Sequence, residues 1–361
     1  MANIFSRMGS DASLFRNEAA LAPDYLPDAI LHREAQVKEI AYAVSPATRG
    51  RKPQNAIVIG PPGTGKTCCC RHVLSQLAEY SGRSLPIYIN CWEYTTRHAV
   101  LTKVAEALGQ AMPRRGIATD EILARIAEIV KNTDRILVVV LDEVDRLLAS
   151  SESKVLYDLT RAQEVFSARV GVIGVTNDAQ ALAKLDNRIR SSLASVPVNF
   201  EAYTPAQLKD ILRERAKLAL ADGVLTEEVI PLCAAFGARA GGDARIAIEC
   251  LRRAAQLAES EGLSQVTAQH VRAAYPQPAQ LRAEGALASL GDGERALVQM
   301  LKEKGELSSG QIEAIFEKSG MATDRSVRNY IARLESLGLI ETEEIEGGRG
   351  KSRLVRLRLS G

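Results

Sequence analysis

A glycine-rich segment, residues 60–67 with the sequence GPPGTGKT, carries the residue types that bind phosphate. An apolar run over residues 56–59 predicts a buried strand before it, and residues 68–79 favour a helix after it. In that setting glycines let successive backbone N–H groups point at phosphate oxygens, and the helix start adds partial positive charge. The sequence therefore predicts a nucleotide-binding loop rather than a glycine-rich turn with a solvated lysine. We expect its contacts to come from Pro62, Gly63, Thr64, Gly65, Lys66 and Thr67.

Two carboxylates follow a second apolar run, residues 136–141, which reads as a buried parallel strand. Ligands in such sheets bind at the carboxyl ends of the strands, where Asp142 and Glu143 stand. Lys66 is placed to reach the β- and γ-phosphates, and the hydroxyl of Thr67 to bind magnesium. We assign Asp142 to the same metal ion and Glu143 to the attacking water, which a second carboxylate can orient and polarise.

A third apolar run, residues 170–176, ends at Asn177. Its amide is positioned to contact the γ-phosphate or the attacking water. An asparagine after a strand is by itself usually a turn residue. The functional interpretation of Asn177 therefore depends on the two preceding elements.

Length and composition fit a protein of two or three domains. The chain has 361 residues, of which 46% are hydrophobic and 25% charged, as in ordinary globular proteins. No apolar run approaches the roughly 20 residues of a membrane span, and no signal peptide is evident. The six cysteines show no CxxC pattern and no zinc-ligand spacing. We expect a cytoplasmic protein without a membrane partner.

Strands alternate with helices up to about residue 200, which predicts an α/β fold with a doubly wound parallel sheet. A helical module follows, and a proline pair near residues 276–278 marks a linker. The predicted organisation is a flexible N-terminal arm over residues 1–20, a P-loop core over 21–202, a helical lid over 203–275, a linker over 276–289 and a last domain over 290–361.

The last domain has the pattern of three helices followed by a β-hairpin, which predicts a winged helix-turn-helix. Arg325 and Arg328 lie on its third helix, away from the apolar face, and are expected to contact duplex DNA. Arg349, Lys351 and Arg353 lie on a glycine-rich hairpin tip, where they would neutralise phosphates. Winged helices also serve as protein-interaction modules. The scarcity of aromatic stacking residues argues against single-stranded nucleic acid.

These elements together resemble the AAA+ ATPases, and within them the archaeal replication initiators related to origin recognition complex proteins. The resemblance covers nearly the whole chain and is carried by residues 60–67 (Walker A), 141–145 (Walker B), 176–178 (sensor one), 185–193 and 242–245 (sensor two), together with the final winged helix. Residues 32–34 match the family's segment beside the adenine. The fold that it implies is an AAA+ parallel-sheet core with a helical lid and a C-terminal winged helix.

The resemblance implies further site residues. Arg245 would contact the phosphates from the lid, and Tyr203 and Arg215 would lie near the nucleotide. Arg188 would act in trans as an arginine finger, with Arg190 as its competitor for that role. Arg114 and Arg115 match an insertion that contacts DNA from the ATPase domain, although they also read as an ordinary solvated turn.

The implied function is recognition of double-stranded origin DNA and help in loading the replicative helicase, under the control of ATP or ADP with Mg²⁺. Other initiator subunits are possible partners, and the protein would be associated with the nucleoid. Hydrolysis would be slow and dependent on a partner. Two alternatives stay open: a clamp-loader-like or transposition-helper ATPase, and an ATP-gated transcriptional regulator.

Overall fold

The computed structural model describes residues 13–111, 117–149, 152–178, 180, 187–193, 196–274, 292–319, 324–336, 339–345 and 352–357. The chain divides into two compact units, Met1–Ala274 and Tyr275–Gly361. The finer domain boundaries expected from the sequence stay predictions. In the described part of the chain, no helix is long and apolar enough to cross a membrane.

The first unit contains a five-stranded parallel sheet with helices on both faces. Its elements up to the last strand are α1 (Glu34–Val44), β1 (Ala56–Ile59), α2 (Lys66–Tyr80), β2 (Ser84–Asn90), α3 (Arg97–Ala107), α4 (Thr119–Thr133), β3 (Ile136–Asp142), α5 (Asp145–Ala149), α6 (Lys154–Thr160), α7 (Ala162–Phe166), β4 (Val170–Thr176), α8 (Asn187–Leu193) and β5 (Val196–Asn199). The strand order is β2-β3-β4-β1-β5, and every neighbouring pair is parallel. The predicted α/β class is confirmed.

The register of this sheet places the chemical residues at one edge. Asn90 pairs with Asp142 where β2 and β3 end, and Ile59 pairs with Thr176 where β1 and β4 end. Every residue of β3 is buried, because helices cover both faces of the sheet. Alternate β3 residues therefore enter two separate cores. Leu137 and Val139 belong to one core, and Val138 and Val140 belong to the other.

The rest of the first unit is a helical lid, formed by α9 (Pro205–Ala219), α10 (Val229–Arg239), α11 (Ala244–Ser260) and α12 (Ala268–Ala274). Thr204 and Gln207 form a reciprocal capping box at the start of α9. Residues 1–12 of the expected N-terminal arm lie outside the described residues. The following segment is attached to the lid, since Leu14 is buried and Phe15 forms a bridge to Leu220.

The second unit has the order of a winged helix. Helix α13 (Asp292–Lys304) is followed by β6 (Leu307–Ser308), α14 (Ser309–Ser319), α15 (Asp324–Ser336), β7 (Ile340–Ile345) and β8 (Ser352–Leu357). The strands form an antiparallel sheet in the order β6-β8-β7. Its core contains Phe316 of α14. It also contains Val327, Ile331 and Leu334, which form the apolar face predicted for the third helix, α15.

The close contact between α10 and α11 in the lid provides a test of this packing. A Cβ added at Gly237 in α10 would lie 2.8 Å from the Ala247 Cβ and 2.8 Å from the Asp243 backbone oxygen. We expect Gly237→Ala to destabilise the lid by about 1–3 kcal/mol, because overpacking outweighs the gain of roughly 1 kcal/mol in helix propensity. Urea unfolding with hydrogen exchange in lid peptides measures this.

Gly82 is the matched control, since among the described residues an added Cβ there meets nothing within 4 Å. Gly82→Ala should leave lid exchange unchanged. Equal stability of the Gly237→Ala and Gly82→Ala variants would contradict the packing.

Candidate functional site

The glycine-rich loop joins the end of β1 to the start of α2, and two of its glycines have backbone angles that other residues rarely adopt. Gly63 has φ of +70° and Gly65 has φ of +90°. The lid also approaches them closely: a Cβ on Gly63 would lie 1.7 Å from the Asp243 Oδ1. A Cβ on Gly65 would lie 2.8 Å from the Tyr203 hydroxyl. Glycine is therefore required by both conformation and space.

Lys66 places its ammonium group inside this loop. Its Nζ donates to the backbone oxygens of Gly60 (2.8 Å) and Pro61 (2.7 Å) and to the Asn177 Oδ1 (2.6 Å). All three of these acceptors are neutral. Burial lowers the pKa of Lys66 to about 8, while the Asp142 carboxylate works in the opposite direction. A buried cation held by neutral oxygens is well suited to an anion such as a phosphate.

Thr67 and Asp142 lie side by side at the strand edge. The Thr67 hydroxyl donates to the Asp142 Oδ2 at 2.7 Å, and the Tyr88 hydroxyl donates to the same oxygen at 2.7 Å. Burial and this hydrogen bond raise the pKa of Tyr88. Within the described residues, no group of three or more His, Cys, Asp or Glu side chains could hold a metal ion. The hydroxyl and carboxylate nevertheless fit Mg²⁺, which binds one or two protein oxygens and takes other ligands from phosphates and water.

Glu143 follows Asp142 with a left-handed backbone, φ of +56°, which is uncommon for a residue other than glycine. Its backbone N–H donates to the Asp142 Oδ1 at 3.0 Å. Its carboxylate Oε2 accepts a hydrogen bond of 2.6 Å from the indole N–H of Trp92. The structure thus brings Glu143 to the predicted edge, with a partner that the sequence did not indicate.

The lid meets the phosphate loop at the start of α11. The Asp243 side chain caps this helix, accepting from the backbone N–H groups of Arg245 and Ile246. The first backbone N–H of the helix, that of Ala244, donates to the Gly63 backbone oxygen at 3.1 Å. The Arg245 side chain is largely exposed and lies 3.4 Å from the Asp243 Oδ2. Lid and loop are therefore joined directly by the backbone.

Tyr203 and Arg215 are also brought to this site. The Arg215 guanidinium stacks on the Tyr25 ring, 4.6 Å from its centroid, and donates to the Ala20 oxygen at 3.0 Å. Burial lowers the pKa of Arg215. Tyr203 is buried beneath the guanidinium of Arg33, which lies 3.9 Å from the ring centroid.

Arg33 is a residue of the site to which the sequence analysis gave no individual role. It is buried, and its guanidinium donates to the Thr64 oxygen at 2.9 Å and to the Glu201 oxygen at 2.5 Å. It thereby links the phosphate loop to the segment that leads into the lid. Its place in residues 32–34, the segment matched to the adenine side, was the available signal.

A cavity of about 390 Å³ lies at this site, and most of the predicted residues line it. The predicted residues that line it are Gly63, Thr64, Gly65, Lys66, Thr67, Asp142, Glu143, Asn177, Tyr203, Arg215 and Arg245. Among the described residues, Pro62 and Arg188 lie outside this lining, and both are exposed. For Arg188 this agrees with a contact made in trans, which stays a prediction.

The predicted DNA contacts are placed only in part. Arg114, Arg115, Arg349 and Lys351 lie outside the described residues, and for Arg325 only the backbone, in α15, is described. The Arg328 side chain is exposed and donates to the Glu313 Oε1 at 2.9 Å. Arg353 is exposed on β8, 4.0 Å from the Glu335 carboxylate. Duplex DNA would therefore compete with a carboxylate for each of these two arginines.

Two family profiles match the first unit. One, described as an AAA domain, matches residues 49–182. The other, described as a Cdc6 AAA+ ATPase-type lid domain, matches residues 209–276. The AAA+ core and lid expected from the sequence are confirmed.

Full-length relatives and solved structures extend the match over the chain. An ORC1-type DNA replication protein of Thermococcus kodakarensis is 36% identical and covers 100% of this chain and 92% of its own. ORC1-type DNA replication protein 1 of Sulfolobus acidocaldarius is 36% identical, covering 96% and 91%. The structure of the Aeropyrum pernix ORC1 protein in complex with DNA matches with a TM-score of 0.70 and 35% identity, covering 97% and 95%. At this identity and coverage, the chain belongs to the family of ORC1-type DNA replication proteins, which are AAA+ initiators.

Proposed function

We propose that this protein binds ATP or ADP with Mg²⁺, recognises double-stranded origin DNA and helps recruit and load the replicative helicase. The observation that carries the proposal is the contact between Ala244 of the lid and Gly63 of the phosphate loop. A nucleotide bound in the phosphate loop would contact the same loop to which the lid is hydrogen-bonded. Nucleotide state would therefore bias the lid, and through it the DNA-bound form.

The residues around the phosphate loop have tasks in ATP hydrolysis. Lys66 binds the β- and γ-phosphates, with Asn177 at its side, and Arg245 contacts the phosphates from the lid. A magnesium ion held by Thr67 and Asp142 would neutralise the negative charge that develops on the phosphate oxygens. Glu143 orients the attacking water. Arg188 of a second initiator subunit would complete the site in trans, so hydrolysis by an isolated chain should be slow.

The rest of the cavity would receive the nucleoside. Tyr203 closes its floor beside Gly65, and Arg215 lies against Tyr25 on the wall that the N-terminal segment provides. In the winged helix, Arg325 and Arg328 would read base edges and Arg349, Lys351 and Arg353 would contact phosphates. Arg114 and Arg115 would add a contact from the ATPase domain. A match to an ORC1 protein described as DNA-bound supports duplex DNA as the partner.

Family membership favours an initiator over a clamp loader. We expect the protein to be associated with the nucleoid in the cytoplasm. A genome-wide map of bound DNA tests the proposal. Binding concentrated at replication origins, with helicase recovered in the same complexes, is expected. Binding confined to promoters without helicase would support the transcriptional alternative.

Replacement of Glu143 separates nucleotide binding from hydrolysis. Glu143→Gln keeps the side-chain shape but loses the charge that orients water, so single-turnover hydrolysis should fall about 100-fold or more. ATP affinity should stay at the wild-type level. Glu128→Gln, an exposed change on α4, is the control and should hydrolyse normally. Wild-type turnover by Glu143→Gln would remove this residue from the mechanism.

The pKa of Lys66 predicts how ATP affinity depends on pH. Below its pKa of about 8, Lys66 already carries its proton when a phosphate arrives. Above it, binding must include proton uptake, so affinity should fall by up to about tenfold for each further pH unit. Titration with a fluorescent ATP analogue between about pH 7 and about pH 9.5 measures this. Lys66→Met should bind weakly without this pH step, and a flat profile in the wild type would contradict the assignment.

The winged helix should separate affinity from sequence preference. Replacing Arg349, Lys351 and Arg353 together by alanine should weaken binding to every duplex and reduce the salt slope by about one unit per lost contact. Arg328→Ala should cost about 1–3 kcal/mol, mainly on the preferred site. Salt titrations on origin and random duplexes compare them, with Arg356→Ala, paired to Glu341, as a control on β8. A tip variant that loses only sequence preference would reverse these roles.

A further inference from the structure

Trp92, the one tryptophan of the chain, donates a hydrogen bond from its indole N–H to the Glu143 carboxylate. It follows β2 in a turn whose backbone is fixed, since the Trp92 N–H donates to the Asn90 Oδ1 at 3.0 Å. Asn90 in turn is paired with Asp142 across the sheet. The indole therefore reaches Glu143 from a position that is anchored to the same strand edge.

The indole is also held from its other side. The Arg146 guanidinium lies over the Trp92 ring, 3.2 Å from its centroid, an arrangement that favours a cation–π interaction. Arg146 belongs to α5, which begins at Asp145, the last Walker B residue. Trp92 is 53% exposed, so this braced ring faces solvent while its N–H faces the carboxylate.

The contact ties one carboxylate oxygen of Glu143 to a residue outside the nucleotide cavity. Of the described residues, Glu143 lines the nucleotide cavity whereas Trp92 lies outside the lining. A carboxylate that orients water must present its oxygens to the phosphate side, where Lys66 and Thr67 lie. The 2.6 Å bond from the indole instead occupies Oε2, and hydrogen bonds to charged groups are stronger than neutral ones.

We propose that Trp92 is a positioning residue that withholds Glu143 from the hydrolysis site until the indole hydrogen bond breaks. This inference rests on the proposed role of Glu143 in ATP hydrolysis. It assigns a structural reason for slow turnover that lies within the chain, in addition to the arginine that would come in trans. Trp92 itself contacts no reacting group.

The contact is tested first in the nucleotide-free full-length protein. Because Trp92 is the sole tryptophan, its emission reports on the surroundings of one indole. Glu143→Gln should change the intensity and wavelength of that emission, while Glu128→Gln should not. Identical emission from the wild type and Glu143→Gln would overturn the proposal, whatever the rate of hydrolysis.

The positioning role is tested by Trp92→Phe, which keeps an aromatic ring for Arg146 and removes the N–H donor. Single-turnover ATP hydrolysis with Mg²⁺ should rise roughly 10- to 150-fold, the factor for one lost hydrogen bond to a charged group, with ATP affinity unchanged. Adding Glu143→Gln to Trp92→Phe should abolish the gain. Tyr80→Phe, at an exposed aromatic residue at the end of α2, is the control and should hydrolyse at the wild-type rate.

The outcomes separate this inference from the proposed function. If Trp92→Phe hydrolyses ATP at the wild-type rate or more slowly, the positioning role is overturned and the ATPase assignment stands. Absence of hydrolysis in the wild type, Trp92→Phe and Tyr80→Phe alike, despite bound ATP, would overturn both.

Discussion

The ammonium group of Lys66 is the point on which the first unit is organised. The residue is buried, and the three acceptors of its ammonium group, two backbone carbonyls and the Asn177 amide, are neutral oxygens. Burial of a cation in such surroundings is unfavourable, as its lowered pKa records. The parallel sheet maintains this arrangement, because the register of β1, β3 and β4 fixes the strand ends that supply the surrounding groups. An anion at this position would relieve the unfavourable burial.

The same position explains why the lid can respond to a nucleotide. Gly63 leaves no space for a side chain beside Asp243, so the cap of α11 packs directly on the phosphate loop. A backbone hydrogen bond of 3.1 Å from Ala244 to Gly63 joins them. Arg33 adds a second connection between the loop and the segment that leads into the lid, through Thr64 and Glu201. A change at the phosphates therefore has two direct routes into the lid.

Local patterns predicted much of the fold and the phosphate side of the cavity. Glycine spacing, buried apolar runs and the acids after them identify Lys66, Thr67, Asp142 and Glu143, because each signal lies within one strand and its following loop. The contacts of Trp92 with Glu143 and of Arg33 with Thr64 join residues 51 and 31 positions apart, and no local pattern encodes such pairs. Tyr88 is similar, since its contact with Asp142 depends on the β2–β3 register. The DNA contacts at positions 114, 115, 349 and 351 stay predictions, because they lie outside the described residues.

A nucleotide held by Lys66 should stabilise the backbone at the start of α11. Hydrogen exchange in peptides covering residues 237–248, with and without saturating ATP and Mg²⁺, measures this effect, and Lys66→Ala supplies a protein that should not bind. ATP should slow exchange in these lid peptides of the wild type and have no effect in Lys66→Ala. Unchanged exchange in the wild type, with ATP binding verified in the same sample, would contradict it.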